Sequence, residues 1–244
     1  MGVPDNLSFE SQIDVLYKKV IKKGGLDMAN QLWQSWHLDG TFEDYLRERL
    51  STLLRKIDIS ESANAQIRAF KSLYWAPRWT STNLSVFESV KPITLPYYDN
   101  QMCEFICSVP EKYLASRQIQ IAYIKRRNPK VAKIEWQQHR PFNLYNFHLN
   151  KIPYNLPFRV YSKLSRTINP QKFIQRNWEL QFLGKQNENQ LENYLFQNNK
   201  FNSLVPKEIV SEIYTKFRHE DAVYYSHPLS MLLTLSLFYK NNFE

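Results

Sequence analysis

Phe9-Glu10-Ser11-Gln12-Ile13-Asp14-Val15-Leu16-Tyr17-Lys18-Lys19-Val20-Ile21-Lys22 is the stretch on which the fold class turns. Ile13, Leu16, Tyr17 and Val20 recur at spacings of three and four, the period of a helix with one apolar face. The Gly24-Gly25 pair that follows reads as a helix stop, because glycine takes the left-handed conformation with which helices end. The same signature repeats along the chain. A second helix is expected over 29–37, and a third opens at Thr41, whose hydroxyl with Asp44 three residues later forms a capping pair. Tyr45, Leu46, Leu50, Leu53 and Leu54 give that third helix its apolar side. Further helices are expected over 62–74, stopping before Pro77, and over 83–89, ahead of an extended stretch at 92–96 with room for one small strand near Ile93.

Asp99 is a good N-cap for a helix over 100–108 that Pro110 ends, and a helix over 118–128 ends at Pro129. The stretch 140–157, with Pro141, Pro153 and Pro157 among Asn and aromatic residues, reads as a long exposed connection that divides the chain loosely in two. Beyond it, helices are expected over 169–182, 186–199, 206–217 and 228–238. The expected fold class is predominantly α-helical, in a single domain spanning 1–244.

Composition narrows the function. With 43% hydrophobic and 23% charged residues in 244, the chain is globular rather than disordered. Gly is only 5 residues, against about 7% of an average chain, so an intact Gly-rich nucleotide fold is not expected. The net charge of +9 comes in short scattered groups such as Lys18, Lys19, Lys22 and Lys23, and Lys125, Arg126 and Arg127. These read as solvated helix faces, and nucleic acid is not an expected partner. With only two Cys, no cleavable signal and no apolar run of about 18 residues, a reduced, cytoplasmic protein with no membrane partner is expected.

Cys103 and Cys107 fall one helical turn apart, but no second Cys pair or well-spaced His accompanies them, so they read as buried apolar thiols rather than metal ligands. His37, His139, His148, His219 and His227 sit in no metal or triad spacing. Lys23-Gly24-Gly25-Leu26-Asp27-Met28 superficially resembles the Ser-Gly-Gly-x-Asp-Ser loop of ATP pyrophosphatases, yet it lacks the flanking hydroxyls that would bond phosphate, and a helix rather than a strand precedes it. His139-Arg140, at the start of the Pro-interrupted stretch, is either an anion-meeting cation pair or ordinary surface loop. No catalytic, cofactor-binding or metal-ligating residue is assigned.

Arg78-Trp79-Thr80-Ser81-Thr82-Asn83-Leu84-Ser85-Val86-Phe87, followed by Leu95-Pro96-Tyr97-Tyr98-Asp99-Asn100-Gln101-Met102-Cys103-Glu104-Phe105-Ile106-Cys107-Ser108-Val109-Pro110, resembles the asparagine synthetase family. There a Pro-Phe-Leu-Asp or Pro-Phe-Tyr-Asp element opens a helix ending at a Leu-Pro or similar pair, and 96–99 with Val109-Pro110 match in order and spacing. Asn128-Pro129-Lys130-Val131-Ala132-Lys133-Ile134-Glu135-Trp136 is similar to the family's Pro-Glu-Leu-Ala-x-Ile-Pro-Trp segment, and 227–238 to its closing apolar helix. The similarity covers residues 62–140 well and the remainder loosely.

The resemblance implies an origin in an enzyme that joins a glutaminase, using an N-terminal Cys, to a synthetase domain that adenylates a carboxylate with Mg-ATP and forms an amide. Here Met1 is followed by Gly2, the phosphate loop and the Gly-Gly-Asp-Glu element are missing, and Gln137-Gln138-His139 stands where the family places a catalytic Lys. The chain is therefore expected to be the C-terminal helical portion of an α/β synthetase domain, with the nucleotide-binding core largely absent and no catalysis alone. Mg-ATP is implied only for a complete member. The expected partner is an upstream synthetase half or a second copy, docked on exposed apolar faces. The alternative is a non-catalytic basic helical module that holds an acidic partner or nucleic acid.

Overall fold

Ser8 accepts a hydrogen bond from the Ser11 backbone N–H at 3.3 Å and starts α1 (Phe9–Val20), which buries Ile13 and Leu16. The coordinates are a computed structural model that describes residues 3–168 and 177–243. The Gly pair does not end α1, which stops at Val20 with Ile21 already extended. Gly24 instead adopts φ +69° and opens α2 (Gly25–Ser35), ahead of the start the apolar period gives. An added Cβ at Gly24 would lie 2.9 Å from both Pro228 Cγ and the Tyr224 carbonyl oxygen, so conformation and close approach both demand glycine there. Thr41 starts α3 (Phe42–Arg55) as expected: its Oγ1 accepts from the Asp44 N–H at 3.1 Å and donates to the Asp44 carboxylate at 2.6 Å.

Ser62 caps α4 (Ala63–Phe70), which runs through a π-helical turn at Lys71–Trp75 into α5 (Ala76–Glu88). Pro77 thus fails to stop the helix. In the widened turn the Ala76 N–H reaches the Lys71 carbonyl, and Pro77 becomes the second residue of a new helical segment, where no backbone N–H is required. Residues 92–95 are irregular, and no strand occurs among the described residues, at Ile93 or elsewhere.

Next come α6 (Asn100–Ser108), α7 (Glu111–Leu114), α8 (Gln118–Arg127), α9 (Pro129–Ala132) and α10 (Leu156–Ile168). α10 is a helix that apolar periodicity overlooked. Its Pro157 sits in the first turn, where proline is tolerated, so the residue that reads as loop is a helix start. Of the helix expected over 169–182, residues 169–176 lie outside the described residues and Trp178–Leu183 is a 3-10 helix. The chain closes with α11 (Lys185–Phe196), α12 (Asn199–Leu204), α13 (Lys207–His219) and α14 (Ser226–Phe243). The fold is predominantly helical.

The helices gather into two compact units: residues 1–6 with 59–175, called unit 1, and residues 7–58 with 176–244, called unit 2. The stretch 140–157 lies inside unit 1 rather than between the units. It is not wholly exposed either: Phe142 is buried, the Trp136 N–H donates to the Phe142 carbonyl at 2.8 Å, and the Leu144 N–H to that of Ala132 at 3.1 Å.

Unit 2 is built around α14, which packs on α2, α11, α12 and α13. Leu191, Leu195, Phe201, Ile213, Phe217 and Leu229 are fully buried in one continuous cluster, each contributing about 1.5–3 kcal/mol by leaving water. The polar insert in that core is satisfied: the buried Asn198 side chain accepts from the Phe201 N–H at 3.0 Å and donates to the Ser236 carbonyl at 2.9 Å. Among the described residues unit 1 buries far fewer, chiefly Ile67 and Phe70 of α4 with Ala132 and Phe142.

Candidate functional site

The element that carries the family resemblance folds as a turn and a capped helix. Pro96–Tyr98 make one 3-10 turn, and the Asp99 carboxylate then accepts from the Gln101 N–H at 3.0 Å and the Met102 N–H at 3.3 Å to start α6. An open depression of about 410 Å³ lies there, lined by Pro96, Asp99, Gln101, Met102 and Phe105. Its apolar wall is open to solvent, for Phe105 is 52% exposed. Cys103 and Cys107 lie on the same helix and are exposed, not buried. α6 buries none of its residues, so helical spacing alone misplaced the thiols. Among the described residues no three His, Cys, Asp or Glu side chains stand together as a metal site.

Beyond Pro110, Glu111 opens α7 and accepts from both the Arg68 guanidinium and the Asn64 amide of α4. Burial pushes the Arg68 guanidinium below its ordinary value. This cluster clamps the start of α7 to α4.

His139 and Arg140 are separated in role. The His139 ring lies edge-on to Trp136 at 4.7 Å and near Phe147 at 5.2 Å, and its Nδ1 is 3.2 Å from the Asn150 amide nitrogen. It is a packing residue. Arg140 is exposed, 3.7 Å from the Glu135 carboxylate, a spacing worth little in water. The Arg117 guanidinium stands over the Trp136 ring at 5.5 Å and the Lys125 ammonium over Tyr145 at 5.2 Å.

The Lys23–Met28 loop follows a helix, and Tyr224 and Pro228 occupy the space that a side chain at Gly24 would need.

Charge is distributed in a way that a search for basic runs misses. Unit 1 holds 17 Lys and Arg against 7 Asp and Glu, whereas unit 2 holds 15 against 16. Within unit 1, residues 79–111 carry one cation, Lys91, and four acids, but residues 112–172 carry 13 cations and one acid, Glu135. The excess positive charge of the protein therefore belongs to one segment. Counting by segment in the sequence would have found it.

Comparison of the chain with protein-family models, curated proteins and solved structures finds no match.

Proposed function

We propose that the chain is the C-terminal helical portion of an asparagine synthetase-type, ATP-dependent amide-forming enzyme, and that it is not catalytic alone. The observation that carries this is the 96–110 element: it forms the turn, carboxylate-capped helix and closing proline that the motif calls for, beside an open, apolar-walled depression. Such a wall, in a unit with few buried residues, is the surface a nucleotide-binding half would cover. Asp99 serves there as a helix cap that fixes the wall. Mg-ATP would be held by that other half.

Mg-ATP titrated into the purified chain should give no saturable heat. The DNA upstream of the Met1 codon should encode a Ser-Gly-Gly-x-Asp-Ser loop, and its product, coexpressed with this chain, should copurify and show carboxylate-dependent ATP–pyrophosphate exchange. Unrelated upstream DNA, or nucleotide binding by the chain alone, would count against a synthetase fragment. The segmental charge favours a second reading, a non-catalytic basic module for an acidic partner or nucleic acid. Retention of a labelled oligonucleotide at about 50 mM salt, lost steeply as salt rises, would support it.

A further inference from the structure

α10 is attached by its narrow side. Phe158 packs edge-on against Phe142 with ring centroids 5.5 Å apart, and Ser162 and Ser165, on the same side, are only half-buried. Leu156, Val160, Leu164 and Ile168 recur every fourth residue and, with Tyr161, form one stripe along the helix. A soluble helix ordinarily turns such a stripe inward. Here all five residues are between 49% and 74% exposed. Arg159 and Lys163, also exposed, run beside the stripe on the flank away from Tyr161.

The charge of the segment that carries this face, with Arg159 and Lys163 on its flank, says what would cover it. The exposed apolar side chains Val86, Phe87, Val90 and Phe105 lie in the acid-rich stretch 79–111 and suit another protein surface. α10 lies in 112–172, where cations outnumber acids by 13 to 1. A nucleic acid would use the cations and leave the aliphatic stripe in water. A protein groove would cover the stripe but would have to supply carboxylates spread along the whole segment. An anionic bilayer surface satisfies both at once, with headgroups meeting the basic flank and acyl chains the stripe. No helix among the described residues is long and apolar enough to cross a membrane, and an in-plane helix needs no such length. The expectation of no membrane partner rested on the lack of a spanning segment, which does not bear on in-plane binding.

We propose that α10 is a peripheral membrane-docking helix that lies flat on anionic lipid through Leu156, Val160, Tyr161, Leu164 and Ile168, with Arg159 and Lys163 at the headgroups. The test is flotation of the whole chain with phosphatidylcholine vesicles and with vesicles containing about one third phosphatidylserine, which separates bound protein from aggregate. The chain should float with the anionic vesicles and not with the neutral ones. Arg159→Gln with Lys163→Gln should weaken binding about 30-fold, from roughly a factor of five per cation near the surface. Leu164→Ser should weaken it about 10-fold by removing one inserted side chain. All three positions are exposed, so circular dichroism should show each variant as helical as the parent. Failure to float with anionic vesicles, equal flotation with neutral ones, or Leu164→Ser binding unchanged would overturn the proposal. Retention of an oligonucleotide or an acidic protein through Arg159 and Lys163, without flotation, would assign the face to that ligand instead.

Discussion

Unit 2 and unit 1 are comparable in length and both helical, yet the largest fully buried side chains among the described residues all belong to one of them. In unit 2, α14 is wrapped by four helices and Leu191, Leu195, Phe217 and Leu229 are out of water altogether. In unit 1, Val86, Phe87, Val90, Phe105 and the stripe of α10 face solvent. Acids and cations balance in unit 2 and are segregated in unit 1. The tightly buried core and the segregated charge thus lie in different parts of the chain, and the exposed apolar side chains of unit 1 would gain energy if covered.

The sharpest way to break this contrast is a pair of matched truncations. Phe217→Ala should cost about 3–5 kcal/mol in urea unfolding, because a fully buried ring leaves a cavity. Phe105→Ala, at a half-exposed site, should cost under about 1 kcal/mol. Equal costs would mean that unit 1 is as tightly packed as unit 2.

Glu111→Ala comes next, at about 2 kcal/mol, since it strips the Arg68 guanidinium and the Asn64 amide of their shared acceptor. Its loss should show in near-ultraviolet dichroism of unit 1 while Glu111→Gln, which keeps an acceptor oxygen, loses less.

Helix caps should not distinguish the units. Asp99→Ala in α6 and Thr41→Ala in α3 each remove a side-chain acceptor from a first-turn N–H, and each should cost about 1 kcal/mol. A much larger cost at Asp99 would show that α6 is packed more firmly than its exposure implies.

The smallest effect is a pH dependence confined to unit 2. Burial, then the 2.7 Å hydrogen bond to Glu192, raises the Tyr214 phenol above its ordinary value of 10.0. A raised folded value means the stabilisation is complete below pH 10 and is lost as pH climbs toward the folded value. Wild-type stability should therefore fall from pH 9 to pH 11 more than that of Tyr214→Phe, followed by urea midpoints.

Much of this was legible in residue order. The α1 period, the Thr41 and Asp99 caps, and the apolar spacing of α11, α13 and α14 each act within one or two turns, so local chemistry determines them. What was not legible depends on distant residues. Gly24 opens α2 because Tyr224 and Pro228 approach it from 200 positions away. Pro77 is tolerated because a π turn precedes it, and Cys103 and Cys107 are exposed on a helix that buries none of its residues. α10 was hidden by Pro157, and the basic segment by the dispersal of its cations over 112–172 rather than in one contiguous run.

Amide hydrogen exchange on the intact chain tests the central claim most directly. Slow exchange should be confined to α11, α13 and α14, with Leu195, Ile213 and Leu232 among the last to exchange, while α5, α6 and α10 exchange orders of magnitude faster. Equal protection in α5, α6 and α10 would contradict the account, because it would show that unit 1 is already complete without a covering partner.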